Sequence, residues 1–190
     1  MTLTIEDKDI QEAREGFRDN RFRLIGAVCE EAVNDLMIDL MAWEKLNRGL
    51  LTPFTLEIYS HGGNCNAGIA LHDYLRRVAN QGHHLTTEAY GACGSMGGII
   101  FQAGDTRLVG WHTEIMVHGP SSDVTGTMKE IQDKADSLCR QAKTNAEILG
   151  ARNTAGLDSA YWLDLMHMGE NFYYKGQKAV GCGLADGVIG

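Results

Sequence analysis

The amino-acid sequence predicts an α/β layered fold on three observations. Short runs with strand alternation recur through the first two thirds of the chain, amphipathic stretches of helical spacing lie between them, and the junctions are rich in glycine. The chain has 190 residues, 44% hydrophobic and 22% charged, a composition that suits one globular domain and excludes disorder and fibrous repeats. Glycine is the anomaly. It supplies 23 of the 190 residues while proline supplies 2, which points to tight turns and close backbone approaches rather than a linker.

The segment 1–21 is polar and charged and is expected to form a helix or a mobile arm, with residues 22–190 as a single domain. RLIGAV (23–28) has strand character. Val33, Leu36, Met37, Leu40 and Met41 then fall on one helix face, with Glu30, Glu31 and Asp35 near the end where the helix dipole favours acids. FTLEIY alternates strictly, Phe54, Leu56 and Ile58 against Thr55, Glu57 and Tyr59, as a half-buried strand does. It runs into SHGGN, after which Ala67, Ala70, Leu71, Tyr74, Leu75 and Val78 make the inner face of a second helix. His83 and His84 read as a solvated turn. LTTEAY (85–90) is the next strand, followed by a turn at GACGS and a helix at SMGGIIFQAG. RLVG and TEIMVHG are two further strands. From Val124 to Leu149 a long polar helix carries Met128, Ile131, Ala135, Leu138, Ala142 and Leu149 on a spacing near 3.5, a narrow stripe that needs a partner surface. A shorter helix (159–168) and a segment ending GLADGVIG close the chain.

Charge and cysteine usage exclude several functions. With 17 Lys+Arg against 25 Asp+Glu the net charge is −8 and no basic run interrupts it, so a nucleic-acid partner is not expected. No apolar run approaches the ~20 residues of a membrane span and no signal-peptide pattern opens the chain, so the expected location is the cytoplasm. The five cysteines (29, 65, 93, 139, 182) form no CxxC and read as small buried hydrophobes. The histidines show no HExxH spacing, and SHGGN matches no nucleotide-binding pattern.

Chemistry is expected at the two glycine turns, since ligands of α/β folds gather at the C-terminal ends of strands. Ser95 lies where a strand meets a helix start, a position from which it would cap the helix or, with free helix N–H groups beside it, act as a nucleophile. His118 ends the strand TEIMVH and is the residue type that activates a hydroxyl near neutral pH.

These residues resemble the ClpP serine peptidase family, the proteolytic subunit of the ATP-dependent Clp protease. FRLIGAV, IYSHGGNCNAGIALHDYL, YGACGSMGGIIFQAG and EIMVHGPSS are similar, in order, to its first strand, glycine turn, nucleophile segment and histidine segment, and the likeness spans about 22–189. The resemblance implies a repeated β-β-α superhelix, shared with the crotonase fold, with a protruding handle region at about 121–158. It implies Ser95 as nucleophile, His118 as general base, and backbone N–H groups of Gly63 and Met96 as the oxyanion hole. Counting back from GLAD places the third catalytic position on Asn171 rather than Asp, with Glu170 one residue away. The implied activity is hydrolysis of unfolded polypeptides inside stacked, self-associated heptameric rings forming a tetradecamer. It is served by a separate AAA+ unfoldase and requires neither metal nor organic cofactor. At the strand positions where the family builds aromatic docking pockets for that unfoldase stand Thr55 and Glu57, and the N-terminal arm lacks apolar gate residues, which suits a phage-type member or an accessory subunit. Two alternatives remain: a non-catalytic ring subunit, and a crotonase-type acyl-CoA enzyme. The latter would need carboxylates beside the glycine turns, where segments 60–70 and 91–104 hold none.

Overall fold

A computed structural model describes residues 19–190, so the expected N-terminal arm lies almost wholly outside the described residues. The first half alternates as the periodicities require: β1 (Arg21–Val28), α1 (Glu30–Leu46), β2 (Phe54–Gly63), α2 (Cys65–Asn80), β3 (Leu85–Gly94), α3 (Met96–Phe101), β4 (Thr106–Gly110) and β5 (Glu114–Val117). There follow α4 (Met128–Ala151), α5 (Ser159–His167), β6 (Phe172–Lys175), α6 (Gln177–Gly181) and β7 (Gly187–Ile189). The fold is mixed α/β around a largely parallel sheet in the order β1-β2-β3-β4-β7. Beyond its pairing with β4, β3 continues alongside β5, whose other edge carries the antiparallel β6.

Alternation divides the sheet into two unlike faces. Leu24, Leu56, Ile58 and Ala89 are buried and join Leu40, Trp43, Leu71 and Leu75 of the helices in one core. On the intervening positions Arg21 and Arg23 each hold Glu57 at 2.8 Å, and Arg21 also pairs with Glu88. Burial raises and these hydrogen bonds lower the Glu57 pKa, and the net direction is down.

Tertiary pairing changes several local expectations. GACG is strand rather than turn, because β5 completes its ladder, Ala92 opposite Glu114 and Cys93 opposite Ile115. Met41 and Ala70 face solvent, and His72 takes the inner position on α2 instead. His83 is buried rather than solvated: its Nδ1 donates to the Thr52 carbonyl at 3.0 Å and its ring lies 5.0 Å from that of Trp43. The long helix starts at Met128, where Thr127 and Glu130 form a reciprocal capping box, so 124–127 precede it as loop. Only Ala142, Asn145, Ala146 and Leu149 of that helix are buried, and the earlier part of its stripe is open, with Met128 83% exposed. The cysteines are not uniformly buried either: Cys93 is, Cys29 and Cys139 are exposed, and all five are free thiols. No helix among the described residues is long and apolar enough to cross a membrane.

The C-terminal segment is locked to the sheet by a buried charge. Arg107 on β4 is fully buried and binds Asp186 with Nη2 to Oδ1 at 2.6 Å and Nε to Oδ2 at 3.1 Å, while its backbone N–H donates to Oδ2 at 2.8 Å. Burial alone would raise the Asp186 pKa, but the Arg107 hydrogen bonds and charge outweigh it and hold it below the ordinary value. Asp186→Ala leaves the guanidinium buried and unpaired, and urea unfolding is expected to show a loss of about 3 kcal/mol or more. Because the folded pKa is the lower one, the wild-type contribution should persist above pH ~4 and disappear on further acidification.

Candidate active site

The site forms where β2, β3 and β5 end together. Gly94 is paired with Met116, and the next residue, Ser95, donates its N–H to the Met116 carbonyl at 2.8 Å. Ser95 adopts φ 51° and ψ −124°, a conformation that costs a residue with a side chain about 1–3 kcal/mol and persists only where its surroundings impose it. Those surroundings include Gly62 at the end of β2. A Cβ on Gly62 would stand 2.5 Å from the Ser95 Cβ and 3.0 Å from the Met96 nitrogen, and its φ of +103° is itself unsuited to side chains.

The sharp turn sets where the Ser95 side chain points. Its side chain makes no capping hydrogen bond to α3. Instead Oγ lies 2.8 Å from Nε2 of His118, which follows β5 directly. Burial pushes the His118 pKa below its ordinary value of 6.5, so the ring is neutral at pH 7. With its proton on Nδ1, such an imidazole accepts the Ser95 hydroxyl proton at Nε2. Met96 opens α3, so its N–H has no partner within the helix and stands free beside the serine. Gly63 follows Gly62 in extended backbone so close to Val28 that a side chain there would collide with the Val28 carbonyl.

Asn171 is exposed and immediately precedes β6. Since Val117 pairs with Phe172, continuing that antiparallel ladder by one step sets Asn171 across from His118. No hydrogen bond joins the two, and among the described residues His118 bonds only to Ser95. Glu170, also exposed, makes no hydrogen bond to the ring. Sequence reasoning passed over Asn145, which lines the small pocket beside Ser95 and His118 and whose Oδ1 is buried without a partner. The signal was available: the stripe on α4 steps from Ala142 to Leu149, and the place between them is occupied by a polar residue.

Comparison with known proteins gives the family. A family model described as Clp protease matches residues 8–190. The chain belongs to the Clp protease family. It is 33% identical over 141 residues to the ATP-dependent Clp protease proteolytic subunit 3 of Rhodococcus jostii, which covers 71% of this chain and 65% of that protein. With proteolytic subunit 2 of Thermobifida fusca it shares 37% over 113 residues (58% and 53%), and with subunit 2 of Bifidobacterium longum 24% over 136 (70% and 62%). The matched segments thus span less than two thirds of the length of each of these Clp protease subunits.

The half-buried imidazole, with no carboxylate beside it, has a direct spectroscopic consequence. A nitrogen-detected NMR titration should place the His118 midpoint below 6.5, with no raised value of the kind a neighbouring carboxylate would produce.

Proposed function

We propose that this chain is a serine peptidase subunit that hydrolyses peptide bonds of unfolded polypeptides within an assembly of its own copies. The observation that carries the reading is the 2.8 Å contact between His118 Nε2 and Ser95 Oγ at a serine held in a strained turn. Oγ would attack the scissile carbonyl while Nε2 takes its proton. His118 would then protonate the leaving amine, and in the second half activate the water that releases the acyl group. The developing oxyanion would be held by the N–H groups of Met96 and Gly63, each such donor being worth about 3–4 kcal/mol in the transition state. Desolvation of His118 helps here, because it keeps the base deprotonated at neutral pH.

The surrounding surfaces support assembly. Following the family resemblance, residues of about 121–158 would act as a handle, and the open first half of α4 is where a ring of stacked copies would interlock. At the face expected to receive an AAA+ unfoldase, Glu57 is engaged by Arg21 and Arg23, so an apolar docking loop would meet an ion-pair cluster and bind less well than in relatives with aromatic pockets.

A second reading, a non-catalytic ring subunit, is favoured by one specific observation: Nδ1 of His118 has no partner among the described residues. Asn171 is the residue best placed to supply its carbonyl there, though an amide stabilises an imidazolium less than a carboxylate does.

Intact-mass analysis after a fluorophosphonate separates the two. One adduct per chain is expected, absent from Ser95→Ala, with a rate that rises as pH passes through a midpoint below 6.5 and is flat above it. Folded, assembled protein that takes no label would establish the non-catalytic reading. Asn171→Asp should speed labelling by roughly tenfold or more if residue 171 orients the ring. An unchanged rate would remove Asn171 from the site, and Glu170→Gln would then be the variant that slows the reaction.

A further inference from the structure

A cleft of about 580 Å³ opens between the C-terminal ends of α1 and α2 and shares no residue with the pocket at Ser95. We propose that it binds an amphipathic carboxylate, with the aliphatic chain against Met41, Leu50 and Leu51 and the anionic head held by Lys45 and Arg48. Its volume is that of a small-molecule site, and its walls combine apolar side chains with a few charged ones, as such sites do. Charge inverts locally. The chain carries −8 overall, but the cleft holds Lys45, Arg48 and Arg77 against a single acid, Glu44. Glu44 is already engaged: Arg77 donates Nη1 to Oε1 at 2.9 Å and Nη2 to Oε2 at 2.7 Å, and the Tyr74 hydroxyl donates to Oε2 at 3.1 Å. Lys45 and Arg48 are exposed and make no hydrogen bond or ion pair among the described residues, so two cationic heads at the cleft have no protein anion to meet.

The apolar wall is built rather than incidental. Leu50 is 52% exposed, Leu51 73% and Met41 49%, three large apolar side chains on one concave surface. The loop that carries the two leucines is fixed by Asn47. Its side chain donates to the Trp43 carbonyl at 2.9 Å and accepts from the Thr52 hydroxyl at 2.8 Å, and its carbonyl accepts the Leu50 N–H at 2.9 Å. Gly82, at φ +102°, leaves the room in which Leu51 lies, since a Cβ there would stand 2.7 Å from the Leu51 Cδ2. Wall and cations therefore stand ready before any ligand arrives, which lowers the ordering cost of binding. A neutral hydrocarbon would cover the leucines and leave the cations unmet. A compact anion would do the reverse. An aliphatic acid satisfies both, its chain removing Leu50 and Leu51 from water and its carboxylate accepting charge-assisted hydrogen bonds from Lys45 and Arg48.

Isothermal titration calorimetry on the full chain tests this with three probes: decanoate, acetate, which has the head without the chain, and decyltrimethylammonium, which has the chain with the opposite charge. Decanoate is expected to bind tenfold or more tightly than either, and to weaken as salt is raised, because the head sits at an exposed site. Lys45→Glu combined with Arg48→Glu should weaken decanoate by tenfold or more and reverse the preference, so that the cationic probe binds better. Both side chains are exposed and unpaired among the described residues, so the thermal midpoint without ligand should stay near that of wild type. Leu51→Asp is a second variant that should weaken decanoate with the cations left in place. Equal affinities for decanoate and decyltrimethylammonium overturn the assignment. So does decanoate binding that survives the double substitution, or that Leu51→Asp leaves unchanged. Silence of wild type toward decanoate overturns it as well, and binding of an acidic, leucine-bearing peptide in that case makes the cleft a protein-docking surface instead.

Discussion

The double pairing of β3 is the constraint on which the site depends. Its first half is held by β4, through Thr86–Ala89 opposite Thr106–Val109, and its second half by β5, through Ala92–Gly94 opposite Glu114–Met116. A strand that changes neighbours part-way carries its end beyond the edge of the β4 ladder and lays it against a strand arriving later in the chain. Ser95 and His118, 23 residues apart, meet because each is the first or second residue past a paired position in that short ladder. The Ser95 N–H to Met116 carbonyl bond closes the arrangement and holds the serine in a backbone conformation it would not adopt in isolation.

Glycine makes the convergence physically possible. At Gly62 the β2 backbone comes so near the turn at Ser95 that any side chain would overlap it, so the free N–H of Met96, the serine and the end of β2 occupy one small volume. The glycine excess in the composition is thereby accounted for in part by close approach, as its pairing with scarce proline suggests. Strain at Ser95 and the unpartnered oxygen of Asn145 are two local violations of otherwise consistent packing, and both lie at the same pocket. Such violations collect where a ligand completes the structure.

Away from the pocket, the molecule keeps surfaces that an isolated chain leaves uncovered. A parallel sheet is ordinarily buried on both faces. Here the face opposite the helices carries the Arg21, Arg23, Glu57 and Glu88 ion pairs together with the exposed side chains of Ile25, Tyr59 and Tyr90. The first half of α4 is similarly open, with Met128 and Ile131 turned to solvent and Val124 exposed in the loop before it. Exposed apolar residues on both features are consistent with membership of a family whose curated relatives are named as subunits.

Much of this was legible in the linear sequence because it rests on local periodicity and short-range turn chemistry. Alternation at Phe54, Leu56 and Ile58 specifies a strand with one buried face whatever surrounds it, and the spacing of Leu71, Leu75 and Val78 specifies a helix face. Ser95 and His118 were recognisable as candidates because each stands at a strand end beside glycine or a helix start. What tertiary structure decided is what depends on partners distant in sequence. GACG became strand only because β5 offers it a ladder, His83 became buried only because Trp43 and Thr52 meet it, and β6 and β7 exist through pairing with β5 and β4. The orientation of the Ser95 hydroxyl is of the same kind. A serine before a helix is locally able to cap it or to turn away, and the backbone angle imposed by Gly62 and Met116 turned its hydroxyl away from α3 and toward His118. By itself, then, the sequence determined the elements and the residue types at their ends, because those follow from side-chain period and backbone preference. Only the tertiary structure decided which of those ends meet, because that is set by strand pairing between segments the chain keeps far apart.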